Sequence, residues 1–306
     1  MHKSIWKKSQ RYKILIHIFF ILLSLCFILP IVMVISISLS SEASVTALDA
    51  GYSLLPRDFT FDAYKISFAN PTKMVRAYVV TTAQSIFGTA LVLVVCGMIA
   101  YAISRTNFAY KGPITFIVFF TMLFSGGAIP TYIVYTKYYH LGDSFWIYIL
   151  PGITGGAWHT LMIRTFFQGL PESLFESAKI DGATELKIFW KIALPLSKPV
   201  FATVGFATLV GKWNDWNTSL VYIRNEKLHT LQYLLQRILN EAEMVRNLVK
   251  EGILDGTGID LSSITTTPME TMRYALCVIA AGPMLVVFPF FQKYFVKGTT
   301  IGAVKG

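Results

Sequence analysis

Charge is scarce in this chain. Only 14% of its 306 residues are Asp, Glu, Lys or Arg, against 54% hydrophobic, which argues against a water-soluble domain, where about 25% are charged. Cysteine is nearly missing. Cys26, Cys96 and Cys277 lie far apart inside apolar runs, so they support neither a disulfide framework nor a metal site and read as small packing residues. The histidines His2, His17, His140, His159 and His229 are equally scattered, and His159, inside an apolar run, reads as a helix-contact residue. A phosphate-cradling loop is also lacking. The nearest approach to G-x-x-x-x-G-K-[ST], from Gly205 to Gly211-Lys212, has one residue too many and continues with Trp213. Nothing therefore suggests an enzyme, and no catalytic residue, metal or cofactor is assigned to the chain. Basic residues gather into no single basic domain, which removes nucleic acid as a partner.

What the chain does have is long apolar runs. A bilayer core of about 30 Å takes roughly 20 apolar residues per helical crossing, and runs of that kind occupy about 14–39, 78–103, 113–136, 144–167, 197–222 and 274–295. They predict an all-α integral membrane protein with six transmembrane helices. The first run is too long for the apolar part of a cleaved signal and lacks a small-x-small cleavage site, so it reads as an uncleaved anchor. With the N-terminus inside, the inner segments hold 15 of the 27 Lys and Arg but four of the 17 Asp and Glu, a balance of +11 against −1 outside. The positive-inside rule then places both termini in the cytoplasm of a multi-pass protein. Residues 1–13 form a basic cytoplasmic segment with Lys3, Lys7, Lys8, Arg11 and Lys13, and 14–306 form one membrane domain. Only Lys212 and Asp215 are ionisable within the fifth run, too few for an ion-coupled transporter.

The outer stretches 40–77 and 223–273 are long. Within the second, Leu231, Leu234, Leu235, Ile238, Leu239, Ala242, Val245 and Leu248 share one helical side, which predicts an amphipathic helix over 231–250. A Gly- and Ser/Thr-rich loop follows over 252–267, around Asp255-Gly256-Thr257-Gly258.

The inner loop 169–199 is punctuated in a way that predicts two short helices joined by a glycine turn. Pro171 suits a first helical turn and Glu172 complements its dipole; Gly182 interrupts as a hinge; Pro195 and Pro199 close the second helix. On that helix Leu186, Phe189, Trp190 and Ala193 are expected on one face and Lys187 and Lys191 on another. The spacing alone fits a partner's groove and a membrane surface equally well.

Glu176-Ser177-Ala178, three residues, Gly182, nine residues and Ile192-Ala193-Leu194-Pro195 resemble the EAA signature of ABC-importer permeases, E-A-A-x3-G-x9-I-x-L-P, with Ser177 in place of an alanine. The run from Leu194 to Pro199, the cluster Trp213-Asn214-Asp215-Trp216 and the tail from Phe295 to Gly306 resemble the carbohydrate-uptake branch that includes the maltose permeases. Phe124-Ser-Gly-Gly-Ala-Ile-Pro-Thr-Tyr132 and Leu39-Ser-Ser-Glu42 are similar to its LplC- and YtcP-type members, associated with oligosaccharides and polysaccharide fragments. The resemblance implies the type I importer (MetI-like) fold in a bacterial plasma membrane. It also implies a second homologous permease, a dimer of ABC ATPase subunits that binds the ATP and Mg, an extracytoplasmic solute-binding lipoprotein and a carbohydrate substrate. A permease for a non-sugar solute is the alternative. ATPase coupling falls by residue match on Glu176, Ser177, Ala178, Asp181, Gly182 and Ala183, with Leu186 and Phe189 on the helix that follows.

A tentative substrate pathway is read at Trp213, Asn214, Asp215, Trp216 and Asn217. Continuous helical spacing would put Trp213, Trp216, Asn217 and Leu220 on one broad face beside Asn214 and Thr218. Indole rings can cover the C–H side of a sugar, and amides match hydroxyls as donor and acceptor. The competing expectation is interfacial tryptophans beside a local Lys212–Asp215 ion pair.

Overall fold

The computed structural model describes residues 2–47, 53–153, 156–251 and 269–303, and every regular element among them is helical. In chain order these are α1 (His2–Ser38), α2 (Glu42–Thr46), α3 (Asp62–Ser67), α4 (Pro71–Ser104), α5 (Lys111–Leu123), α6 (Ala128–Tyr138), α7 (Ala157–Gln168), α8 (Glu172–Ile180), α9 (Glu185–Leu196), α10 (Lys198–Trp213), α11 (Asn217–Tyr222), α12 (Leu231–Lys250) and α13 (Met269–Ala303). The amphipathic helix expected over 231–250 is α12 itself. The loop expected at 252–267 lies outside the described residues.

Among the described residues, Tyr12–Ser38, Pro71–Ser104 and Met269–Tyr294 are each long and apolar enough to cross a bilayer. The 27 residues of the first rise about 40 Å as a helix, ample for the hydrocarbon core. Two bent pairs, α5 with α6 at 112° and α9 with α10 at 83°, meet the same test of length and apolarity only when each pair is taken together. The first bend has a cause in Phe124-Ser-Gly-Gly127: Phe124 is extended and Gly127 has φ +85°, a conformation open to glycine.

The run at 144–167 departs from expectation, for it is not one helix. Two short 3-10 turns, Phe145–Tyr148 and Leu150–Ile153, precede the 12-residue α7. Pro151 lacks a backbone donor and the following glycines weaken a helix. Non-helical backbone at membrane depth is tolerated where protein surrounds it, and Ile147, Tyr148 and Ile149 are buried with Val80 and Ile223. His159 keeps its expected contact role, its Nε2 lying 3.5 Å from Thr208 Oγ1. Cys96 is buried as a packing residue, whereas Cys26 and Cys277 are exposed on their helices.

The chain forms two compact units. In the first, Met1–Pro71 with Arg237–Gly282, the Glu42 carboxylate accepts from the backbone N–H groups of Glu270 and Thr271 and from Thr271 Oγ1, each at 3.0 Å. A negative charge there complements the N-terminal dipole of α13. The second unit, Thr72–Gln236 with Pro283–Gly306, holds both candidate sites. Its core joins α4, α7, α8, α9 and α10 through Cys96, Tyr101, Phe167, Phe175, Phe189 and Val204, among others.

Candidate functional site

The loop 169–199 is built from a glycine-terminated helix and a helix that bends into a membrane span. Pro171 stands at the N-cap of α8, one residue before the first turn, and Glu172 opens the helix. The far end is a Schellman motif. Gly182 takes φ +76°, its N–H donates to the Lys179 carbonyl at 3.0 Å, and the Ala183 N–H reaches back to the Ala178 carbonyl at 2.9 Å. Asp181 is the C-cap, and Ala178 and Ala183 both turn towards the core. Nothing stands within 4 Å of a Cβ added at Gly182, so the position demands glycine for its backbone angle and not for space.

Thr184 restarts the chain as an N-cap, its Oγ1 accepting from the Lys187 N–H at 3.4 Å. The second helix does not stop at Pro195. A π turn at Phe189–Ala193 carries it on to Leu196, and this wider turn suits a proline that has no N–H for the Lys191 carbonyl. The bend comes at Ser197, with Pro199 in the first turn of α10.

The face expected on this helix is divided. Phe189 and Ala193 lie in the core at 2% and 0% exposure, while Leu186 and Trp190 are exposed at 55% and 44%. Phe189 therefore holds the loop from within and does not present itself to a partner. Of the other expected coupling residues, Ala178 is buried and Ala183 half-buried, and Glu176, Ser177, Asp181, Gly182 and Leu186 are exposed. Leu174 and Ile180 add apolar surface to the same loop.

Tyr101 and Arg105, at the end of α4, hold the loop and were not singled out from the sequence. Arg105 is almost fully buried, with its guanidinium 3.7 Å from the centre of the Phe175 ring. It donates to Glu172 Oε2 and to the Phe167 carbonyl, each at 3.4 Å, and to Ser104 Oγ at 3.2 Å. The Tyr101 hydroxyl donates to Glu185 Oε2 at 2.7 Å, and Lys179 pairs with the other oxygen at 2.7 Å. Burial works to raise the Glu185 carboxyl, but the hydrogen bonds from Lys179 and Tyr101 outweigh it and hold the group below its ordinary value. One helix end thus grips both halves of the loop. The only sequence signal was an arginine closing the second apolar run; its partners Glu172 and Phe167 lie more than sixty residues away. Between this helix end and the loop runs a groove of about 380 Å³ lined by Met98, Tyr101, Arg105, Phe108, Leu186 and Phe189 among others.

The segment 213–217 is a helix break and not one broad face. α10 ends at Trp213, Asn214 caps it, and α11 begins at Asn217. Trp213 is buried beside Tyr78, with ring centres 6.3 Å apart, whereas Asn214, Trp216 and Asn217 are exposed. Asp215 caps the next helix: its Oδ1 accepts from the Thr218 N–H at 3.0 Å and its Oδ2 from Thr218 Oγ1 at 2.6 Å. The expected Lys212–Asp215 pair gives way to this, and Lys212 Nζ donates to the Tyr148 carbonyl at 2.7 Å. Side chains add to the backbone bonds at the break, where the Lys212 carbonyl already accepts the Asp215 N–H at 3.3 Å. Gln84 Nε2 donates to Lys212 O at 2.8 Å and Thr230 Oγ1 to Asp215 O at 3.1 Å, as buried backbone requires. Asp215, one residue before the N-cap Trp216, makes the Asx-type turn onto Thr218 that such a residue favours at a helix start.

Among the described residues no group of His, Cys, Asp and Glu could hold a metal ion. The chain is 36% identical over 299 residues to the polygalacturonan/rhamnogalacturonan transport system permease protein YtcP of Bacillus subtilis (strain 168), covering 98% of this chain and 100% of that one. It is 38% identical over 279 residues to Protein LplC of the same organism, covering 91% and 90%. The fold matches the crystal structure of a bacterial ABC transporter involved in the import of the acidic polysaccharide alginate, with a TM-score of 0.72 and 29% identity over 94% of this chain and 98% of that one. The family model for binding-protein-dependent transport system inner membrane components matches residues 11–301, and with nearly the whole chain covered, this protein belongs to that family of membrane permeases.

Proposed function

We propose that this chain is one of two homologous permeases lining the path of an ATP-driven importer for oligosaccharides or polysaccharide fragments, and that loop 169–199 receives motion from a separate ATPase. The observation that carries the coupling role is mechanical. Two helices joined by a Schellman turn are fixed to α4 and continue into α10, while Leu174, Ile180, Leu186 and Trp190 stay exposed at their surface. A push on that surface moves α10 without first deforming the loop. The carbohydrate class is supported by the names of the relatives, which include permeases for polygalacturonan/rhamnogalacturonan and arabinooligosaccharides. ATP and Mg belong in this reading to the ATPase dimer, and sugar arrives on an extracytoplasmic solute-binding lipoprotein. Both termini face the cytoplasm of a bacterial plasma membrane.

Within the path, Asn214, Trp216 and Asn217 are the surface members of their cluster and are assigned to sugar contact; Trp213 and Asp215 hold the break in place. The test is uptake of labelled oligosaccharide by proteoliposomes holding the complete importer, with ATP on the side of the ATPase. Asn214→Ala and Trp216→Ala are expected to lower uptake severalfold while assembly and basal ATP hydrolysis persist. Unchanged kinetics in both would move sugar contact to the other permease. Orientation is checked by single cysteines: one at Ser53 should react with an impermeant thiol reagent outside intact cells and one at Thr184 should not.

A further inference from the structure

The C-terminal end of α1 has a definite depth. The 27 residues Tyr12–Ser38 rise about 40 Å. The hydrocarbon core is about 30 Å thick, so a centred crossing leaves Ser38 about 5 Å beyond it, among the headgroups. The start of α13 marks the same edge. Its apolar span begins at Met269, and the N–H groups of Glu270 and Thr271 are held by the Glu42 carboxylate, just past the end of α1.

The chain then returns to this level. The Ser41 N–H donates to the Arg57 carbonyl at 3.1 Å, the Thr60 N–H to the Leu39 carbonyl at 3.0 Å and the Arg57 N–H to Ser40 Oγ at 3.0 Å. On α3 the Tyr64 hydroxyl lies 2.8 Å from Ser38 Oγ. Residues 57–64 are thereby tied to 38–41, all within the first compact unit. The tied segment presents apolar side chains outward. Leu55, Phe59 and Phe61 are 76%, 60% and 52% exposed, and the two phenyl rings pack edge to face with centres 5.0 Å apart. The neighbouring α3 behaves otherwise: it turns Ala63 and Ser67 inward and carries Asp62 and Lys65 as an exposed ion pair at 3.0 Å. Phenyl rings held in water at this height are costly, and the boundary between headgroups and acyl chains removes that cost.

We propose that Leu55, Phe59 and Phe61 form an interfacial anchor that enters the lipid leaflet at the C-terminal end of α1, with the phospholipid surface and not another subunit as its partner. Apolar side chains at a membrane surface sink about 5–10 Å into the boundary of headgroups and acyl chains, and a segment pinned about 5 Å beyond the core is within that reach. Arg57, exposed between Leu55 and Phe59, supplies a cation for lipid phosphate. The anchor fixes the end of α1 and the start of α13 at one height in the bilayer. It depends on neither the cargo nor the side on which the termini lie, since both leaflets present the same boundary.

The experiment places a nitroxide on single cysteines, Phe59→Cys and Phe61→Cys, in the complete importer reconstituted into vesicles of phosphatidylethanolamine and phosphatidylglycerol. The exposed Cys26 and Cys277 are replaced by alanine, and the buried Cys96 is kept. Relaxation of the label by oxygen, which concentrates among acyl chains, is compared with relaxation by a water-soluble nickel chelate. The oxygen-to-nickel ratio at both rings is expected to exceed that at Lys65→Cys severalfold. Strong relaxation by nickel at both rings would show that they face water, and weak relaxation by both agents would show that another protein of the importer covers them. Either result overturns the anchor. If a label on a ring impairs assembly, Leu55→Cys is measured in the same way, and a ratio no higher than that at Lys65→Cys is then the contrary result.

Discussion

The loop 169–196 and the break at 212–219 both interrupt helices of the same unit, but they do so with opposite chemistry. In the loop the first helix is closed by backbone bonds: Gly182 at φ +76° lets Ala183 and Gly182 bond back into α8. Apolar side chains then divide between a core that anchors the loop and a surface that is left bare. At the break no residue takes positive φ, and side chains from other elements join the backbone in closing it, Asp215 on α11, Gln84 and Thr230 on the carbonyls of Lys212 and Asp215. A turn closed by its own backbone keeps its shape locally, while Arg105 and Tyr101 anchor the helices on either side of it. A break closed by side chains from other elements is a joint, sensitive to any shift among them. The first suits transmission of a displacement and the second suits a place where the path changes shape.

That contrast is broken most severely at Gly182. Gly182→Val forces a β-branched residue into the left-handed region at roughly 1–3 kcal/mol, and uptake is expected to be lost while the protein still reaches the membrane. Gly182→Asn, which tolerates that region, should retain much of the activity; equal failure of both would point to a role for the absent side chain itself. Next in size is Arg105→Ala, which removes the guanidinium from Phe175, Glu172 and the Phe167 carbonyl and should cost about 2 kcal/mol. Thermal unfolding in detergent would show the loss. Arg105→Lys should not restore it, because an ammonium cannot lie flat on a ring and bond in a fork. The smallest effect is expected at the joint: Asp215→Ala removes one cap, about 1 kcal/mol, and Asp215→Asn should recover most of it. If Asp215→Ala destabilised the protein more than Arg105→Ala, the joint and not the loop would be the more firmly built region.

Much of the loop was legible because its determinants are local. Asp181-Gly182-Ala183 marks a helix end on sequence alone, and Glu176 to Pro195 keep a recognisable spacing. The division of the second helix was not legible, since periodicity groups Phe189 with Leu186 and only tertiary packing sends one to the core. The helix over 231–250 followed from its apolar stripe. The run at 144–167 misled because hydropathy reports burial in an apolar medium and not helicity; Pro151 and its neighbouring glycines were the contrary signal. Lys212 was visible as an ionisable residue in an apolar run, but its acceptor is the carbonyl of Tyr148, sixty-four residues earlier. An expectation built on neighbours three and four residues apart selects Asp215 instead.

The central claim is that the exposed apolar surface of the loop is where a separate ATPase docks. It is tested most directly by placing a charge there, with Leu186→Glu and Ile180→Glu made singly in the complete importer, since both side chains are exposed at 55% and 86% and hold up no core. The measurement is the amount of ATPase that co-purifies with the permease pair. The account predicts that both variants assemble with the second permease as wild type does, yet retain little ATPase and show no sugar-dependent ATP hydrolysis. Wild-type amounts of bound ATPase, with hydrolysis still coupled to sugar, would contradict it.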